Sequence, residues 1–327
     1  MNSHSSRIVL APAPGGPEVL AVETRALPDP DPGHVLIDVT ASGVNRADVF
    51  ERMGLYPPPA GASEGLGLEV SGRIRAVGEG VSGLEIGQSV VALVSGGGYA
   101  DIVRACAGST LPAPEGVNLI DAAGLPEAVF TVWTNVFDQA RLQPGERFVV
   151  HGGAGGVGSA AIQMAKAHGA HVIATARGAV RTHLCRDLGA DEAYDHQAED
   201  WSARIREHGG ADVILDMVGG DYVQQNLDCL NVKGRIVMIA FLRGHRVEVD
   251  LMGVMLKRQI LTGSTLRSRS DAEKMMIAQA VHTRVWPWIA QGAVRPLIDS
   301  RFVLESVRQA HARMDDGGHA GKILLMP

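Results

Sequence analysis

A chain of 327 residues that is 46% hydrophobic can bury two cores of ordinary size, and its formal net charge of −6 provides no bulk positive field for nucleic acid or an anionic membrane surface. Cys106, Cys185 and Cys229 are too few and too widely spaced for a disulfide framework and are expected as reduced, buried thiols. Residues 1–7 are polar and no apolar run reaches membrane-spanning length, so a soluble, cytoplasmic protein is expected.

The first third reads as short β-rich runs at residues 8–10, 35–39, 68–77, 89–93 and 98–103, punctuated by proline and glycine, the texture of an irregular antiparallel barrel. Residues 46–52 read as a short helix for which Asn45 is a good N-cap. Gly61-Ala62-Ser63-Glu64-Gly65 has the spacing of a hydrolase nucleophile elbow. It follows the Pro57-Pro58-Pro59 loop, with no strand before it and no helix after it, and is read as loop. From Asp121 strands and helices alternate, which implies a parallel sheet with right-handed crossovers. The tail is expected to hold a long helix over 271–290, a second over 303–314, and a strand at 321–325 that returns to the first domain.

Gly152-Gly153-Ala154-Gly155-Gly156-Val157-Gly158 lies between an apolar strand, 147–150, and an Ala-rich amphipathic helix, 159–168. Read as Gly153-x-Gly155-x-x-Gly158 it fits a dinucleotide-binding turn, where glycine admits the pyrophosphate and the free N–H groups of the helix start attract it. The next strand, 171–176, ends on Arg177, about 20 residues past the glycines, where an NAD-binding chain carries Asp or Glu. A guanidinium there favours a 2′-phosphate, so NADPH is the expected cofactor, with Arg177 as leading ligand and Arg181, one helical turn on, as a second.

With its elements in this order the chain resembles the medium-chain dehydrogenase/reductases, in the zinc-free quinone oxidoreductase branch of the p53-inducible type. The resemblance is carried by Ser42-Gly43-Val44-Asn45-Arg46-Ala47-Asp48, Tyr56-Pro57-Pro58-Pro59, Gly67-Leu68-Glu69-Val70-Ser71-Gly72, Pro126-Glu127-Ala128, the glycine turn, Leu188-Gly189-Ala190-Asp191, Asp216-Met217-Val218-Gly219-Gly220, Leu266-Arg267-Ser268-Arg269 and Gly321-Lys322-Ile323. It implies an α/β fold: a Rossmann doubly wound parallel sheet at 125–295 that binds NADPH, plus a GroES-like irregular β-barrel domain from 1–124 and 296–327 on the substrate side. Zinc relatives place a Cys within the segment held here by Val44-Asn45-Arg46 and a His where this chain has Leu68 before Glu69. They also carry a four-Cys lobe that three scattered Cys cannot build, so no metal is expected.

Without a Lewis acid the manageable acceptors are those whose reduction yields a delocalised anion, and the implied reaction is two-electron reduction of quinones, or of other conjugated enones, by NADPH. The resemblance sets Asn45 and Tyr56 at the reacting groups, Asn45 beside the nicotinamide ribose and Tyr56 facing the substrate. It sets Thr131 near the carboxamide, and Met217, Val218, Gly219, Phe241, Leu242, Ser264, Leu266, Arg267 and Ser268 around the cofactor. His196 stands where relatives often carry a Tyr near the adenosine phosphate, and Gly155 where close relatives carry Ser. The alternatives are an enoyl-thioester reductase, for which Arg243, Arg246 and Arg258 are candidate phosphate contacts, and a non-catalytic NADPH-binding redox sensor. A homodimer is expected through an edge strand near 260–264.

Overall fold

Six strands build one fully parallel sheet in the order Glu192–Asp195, His171–Ala176, Arg147–His151, Ala211–Asp216, Leu230–Met238, Ile260–Gly263. Taken in chain order this is the doubly wound arrangement 3-2-1-4-5-6, whose reversal point lies between Arg147–His151 and Ala211–Asp216. Helices cover its faces, so central strands are apolar on both sides: Val172 through Ala176 are all buried. A core of Val149, Ile173, Ile205, Ile214, Leu227 and Ile236, capped by Trp201 and Tyr222, sits against the sheet.

The computed structural model describes residues 3–327, and the chain divides into two units. The parallel sheet belongs to Thr131–Thr265 with Ala293–Arg295, while Met1–Phe130, Leu266–Gly292 and Pro296–Pro327 form the other. The division differs from the expected one. It falls at Thr131 instead of 125, and Leu266–Gly292, expected with the nucleotide domain, joins the barrel unit. There Trp286 Nε1 donates to Pro112 O at 2.8 Å and Lys274 Nζ to Ser95 Oγ at 2.8 Å.

The barrel unit contains an antiparallel hairpin, Ser3–Leu10 with Ala21–Pro28, and a sheet in which His34–Val44 pairs with Glu69–Val77 on one edge and Lys322–Met326 on the other. The C-terminal strand therefore returns to the first domain as expected, in a register that sets Ile323 opposite Val44. The expected helix over 271–290 is two helices, Asp271–Arg284 and Trp286–Ala290, because Pro287 has no N–H to continue the ladder. The expected helix over 303–314 begins only at Val307, since Ile298–Val303 is a strand paired with Lys322–Met326. Cys185 and Cys229 are buried free thiols, whereas Cys106 is only half-buried.

Candidate active site

The glycine turn closes the first strand of the parallel sheet and opens the helix Gly156–His168, with Gly155 in the N-cap position. Gly152 takes a left-handed φ of 68°, which lets the chain reverse at the end of the strand. A Cβ on Gly158 would overlap the Gly152 carbonyl, so the helix crosses the turn at a distance only glycine permits. Gly153 packs on Ala174 and Cys185, and Ala154 is buried. Gly155 is different: an added Cβ there meets only Gly152 O, at 3.3 Å. The first N–H groups of the helix, from Gly156 and Val157 onward, carry the positive end of the helix dipole toward any bound phosphate.

Across the reversal point the fourth strand ends on Asp216, which is fully buried. Asp216 Oδ1 accepts the main-chain N–H groups of Val218 at 2.6 Å and Gly219 at 3.2 Å, and so folds Met217-Val218-Gly219 into a turn. Its other oxygen accepts Asn226 Nδ2 at 3.1 Å; Asn226 Oδ1 in turn meets His151 Nε2 at 2.7 Å, and His151 Nδ1 meets Thr175 Oγ1 at 2.9 Å. Because the Asn226 amide already donates to the carboxylate, His151 presents Nε2–H and a bare Nδ1, the neutral tautomer, and burial lowers its pKa. Sequence reasoning missed this relay: nothing in the separate positions 151, 216 and 226 marks them as neighbours. Phe241 and Leu242 follow the next strand, both exposed, and Leu242 N donates to Met217 O at 3.3 Å.

Around the adenosine end expected from sequence, Arg177 is exposed and Arg181 half-buried on the helix Ala179–Asp187. His196 sits by Tyr222, ring centroids 6.3 Å apart, and its main-chain N–H donates to Ala176 O at 3.1 Å. Burial lowers the His196 pKa, with Asp195 opposing and the fields of Arg243 and Arg177 adding to it, so Arg177, Arg243 and His196 share one neighbourhood. Arg243 stacks 5.6 Å over the Tyr222 ring and pairs with Asp221 at 3.2 Å. Ser264 Oγ donates to Asn135 Oδ1 at 2.8 Å, and Asn135 Nδ2 to Thr131 O at 2.8 Å, a tie between two expected cofactor residues through a third that the sequence did not flag.

The barrel unit holds the second polar centre. The register Ile323 to Val44 brings Lys322 beside Asn45, and pairing of His34–Val44 with Glu69–Val77 brings Glu69 to the same place. Gly43 makes room for it, since a Cβ there would overlap the Glu69 carboxylate. Lys322 Nζ donates to Glu69 Oε1 and, at 2.6 Å, to Asn45 Oδ1; Asn45 Nδ2 donates to Glu69 Oε1 at 2.9 Å. All three side chains are buried, and the ring of contacts fixes which end of the Asn45 amide points where. Asn45 is the N-cap of Arg46–Arg52 by position, but its side chain is spent on Lys322 and Glu69. The helix start is held in the reverse direction, by Asp48 Oδ2 accepting Asn45 N–H at 2.7 Å. Tyr99 OH donates to the same oxygen at 2.6 Å, and burial pushes the Asp48 carboxyl up to about 7. Glu127 N–H donates to Glu69 Oε2 at 2.8 Å.

Tyr56 lies on the loop after that helix, half-buried, with the Arg267 guanidinium 5.7 Å from its ring centroid. Burial and then the charge of Glu127 raise its pKa. Arg267 is itself committed to Glu51 at 2.8 Å and to Ser95 O at 2.8 Å, Leu266 is buried beside it, and Ser268 is exposed. Ser63 lies in a loop with its Oγ accepting Gly65 N–H at 3.2 Å, which leaves the hydrolase reading without its strand and helix.

Residues 31–115 match the alcohol dehydrogenase GroES-like domain and residues 156–281 the zinc-binding dehydrogenase family. The rat protein described as quinone oxidoreductase is 32% identical over 318 residues, 95% of each chain. The chain belongs to the quinone oxidoreductase family of medium-chain dehydrogenase/reductases. Escherichia coli quinone oxidoreductase complexed with NADPH superposes with a TM-score of 0.86 at 28% identity, over 98% of this chain and 100% of that one. CurK enoyl reductase superposes at 0.84 with 26% identity, over 98% and 99%. The chain is thus a nicotinamide-dependent oxidoreductase. No helix among the described residues is long and apolar enough to cross a membrane.

The glycine turn fits the dinucleotide such a family uses. Zinc, which the zinc-binding dehydrogenase family implies, does not fit: the segment where zinc relatives place a Cys is Val44-Asn45-Arg46 here, Leu68 stands where they place a His, and the oxygens of Asn45 and Glu69 already face the Lys322 ammonium. Among the described residues no group of three His, Cys, Asp or Glu could hold a metal ion.

Proposed function

We propose that this protein reduces quinones, and other conjugated enones, with NADPH and without zinc. The observation that carries this reading is the buried Asn45–Glu69–Lys322 cluster, in which a fixed ammonium stands among the oxygens where a metal would otherwise be sought. When bound, the nicotinamide coenzyme supplies the hydride. The residues of the chain do the rest. Gly153, Ala154, Gly155, Gly156, Val157 and Gly158 cradle the pyrophosphate, and Arg177 and Arg181 take the 2′-phosphate, with His196 donating nearby. Met217, Val218 and Gly219 line the nucleotide edge in the turn that Asp216 holds; Phe241 and Leu242 offer apolar cover, and Thr131 and Ser264 flank the nicotinamide.

Tyr56 presents its phenol to the acceptor oxygen, and Asn45, locked by Lys322, orients the ribose side of the coenzyme. Conjugation in the acceptor spreads the negative charge left by hydride addition, so hydrogen-bond donors suffice where an isolated ketone would require a Lewis acid. Turnover of NADPH with 1,2-naphthoquinone, 1,4-benzoquinone and crotonyl-CoA tests the reading. Quinone reduction with a metal-free, fully active preparation is expected, whereas thioester turnover alone supports an enoyl reductase and coenzyme binding without turnover a redox sensor.

The expected homodimer is supported by the edge strand Ile260–Gly263, where Ile260 and Leu261 are exposed, as are Met252, Met255 and Leu256 on Met252–Lys257. A monomer mass at every concentration in sedimentation would remove it.

A further inference from the structure

The proposed function gives no task to His151, Asn226 and Thr175, three polar side chains buried inside the nucleotide unit. His151 is the last residue of Arg147–His151, immediately before Gly152 of the glycine turn, and Thr175 pairs with it from His171–Ala176. Asn226 comes from the helix Tyr222–Cys229, and Asp216 ends Ala211–Asp216. His151 and Asp216 thus end the two strands that flank the reversal point of the sheet, where a doubly wound fold opens its crevice.

The hydrogen bonds among these residues run in one direction. The Asp216 carboxylate is met by three N–H donors: the main chain of Val218 and Gly219 on one oxygen, and Asn226 Nδ2 on the other. With its nitrogen committed to a carboxylate, the Asn226 amide turns Oδ1 to His151, which donates Nε2–H at 2.7 Å and receives the Thr175 hydroxyl on Nδ1 at 2.9 Å. Trp201 and Tyr222 hold the imidazole edge to face, with ring centroids 4.7 and 4.9 Å away.

What this relay holds reaches beyond the turn. Leu242 N–H donates to Met217 O at 3.3 Å, Arg243 N–H to Val218 O at 2.8 Å, and Gly220 N–H to Gly244 O at 2.9 Å, so the segment 241–244 hangs on the turn that Asp216 folds. A Cβ built on Gly152 would stand 3.2 Å from Met217 Sδ, so the glycine turn and the Asp216 turn abut. Without the imidazole donor, nothing fixes which end of the Asn226 amide faces Asp216. A buried carboxylate short of one donor recovers it from backbone or water, and the turn moves with it.

We propose that His151 and Asn226 are positioning residues for the coenzyme: through Asp216 they hold Met217-Val218-Gly219 against the glycine turn and so set the affinity for the dinucleotide. This rests on the reading above, which lays the coenzyme along those two turns. Both residues are fully buried and act on the coenzyme only through the backbone they hold.

The test pairs two substitutions. His151→Phe keeps a ring between Trp201 and Tyr222 and removes the donor, whereas His151→Gln supplies an amide Nε2 that can donate to Asn226 Oδ1. The NADPH Kd, measured by fluorescence titration without an acceptor, should rise on the order of tenfold in His151→Phe and recover most of that in His151→Gln; in turnover the rise should fall on KM for NADPH and not on KM for the quinone. In coenzyme-free protein the amide protons of Val218 and Gly219 should exchange on the order of tenfold faster in His151→Phe, with Ile173 and Ile214 in the sheet core unchanged. Wild-type ¹⁵N spectra should show His151 neutral with its proton on Nε2, which requires no variant to fold.

A proton on Nδ1 in place of Nε2, an unchanged Kd in His151→Phe, equal Kd values for the Phe and Gln variants, or exchange that rises as much in the sheet core as in the turn overturns the assignment. Because Kd is measured without an acceptor, a protein that reduces no quinone still bears this inference out if the Kd and exchange results hold. Failure of the wild-type protein to bind a nicotinamide coenzyme sinks both.

Discussion

The glycine turn and the Asn45–Glu69–Lys322 cluster are both polar, both tightly built, and opposite in kind. The turn is made by seven consecutive residues acting through backbone, five of them glycines, so that N–H groups and a helix start can face a ligand. The cluster is made by side chains 24 and 253 residues away from Glu69, acting through charge in a region closed to water. A local device of the first kind fails by steric overlap, and a distributed one of the second kind fails by leaving a charge behind. Their responses to mutation should differ accordingly.

The largest effect should come from Gly158→Val, whose side chain would overlap the Gly152 carbonyl and displace the helix start from the turn. Loss of NADPH binding beyond detection by calorimetry is expected, whereas Gly155→Ser, whose Cβ meets only Gly152 O at 3.3 Å and needs that carbonyl to yield slightly, should still bind measurably. Next is Lys322→Met, which leaves the Glu69 carboxylate buried without its cation. A loss of about 3–5 kcal/mol in denaturant unfolding is expected, with Lys322→Arg recovering part of it. Equal effects of Lys322→Met and Lys322→Arg would show that the cluster is packing and not charge.

A smaller change should follow Arg177→Glu, which replaces a phosphate-binding fork by an anion. The ratio of kcat/KM for NADPH over NADH should fall on the order of 10²-fold, and an unchanged ratio would move 2′-phosphate recognition away from Arg177. The smallest effect belongs to Asp48. Its folded pKa of about 7 lies above its ordinary 3.8, so the folded state holds the proton more tightly than the unfolded chain. The stability this provides is complete below pH 3.8 and is lost as pH rises through about 7. Asp48→Asn keeps an acceptor for Asn45 N–H and Tyr99 OH without the proton. Its Tm should therefore decline less than that of the wild type between pH 5 and 8.5.

How much of this was legible follows the same contrast. The parallel sheet and the glycine turn could be read from strand–helix alternation and glycine spacing because each is set by residues close in sequence, whereas the doubly wound order was implied by the resemblance. The break before Pro287 had a visible signal in the proline itself, outweighed by the apolar pattern on either side. The strand Ile298–Val303 had little, since its character comes from pairing with Lys322–Met326. Among site residues, Asn45 and Tyr56 were named by resemblance, while Lys322, Asp48, Tyr99, Asn135 and the His151–Asn226–Asp216 relay went unrecognised as their neighbours in the fold. A carboxylate in a string of letters carries no sign of the dielectric it will occupy.

By itself, then, the order of residues determined the backbone chemistry: where the chain can turn sharply, where a helix begins facing a phosphate, and which positive group follows the second strand. Only the tertiary structure decided which side chains share a desolvated space, and with that which carboxyls stay charged, which hold a proton, and which cation is already taken. The reason is range. Steric and hydrogen-bond constraints on the backbone act over a few residues, whereas burial and Coulomb interaction depend on neighbours that folding alone brings together.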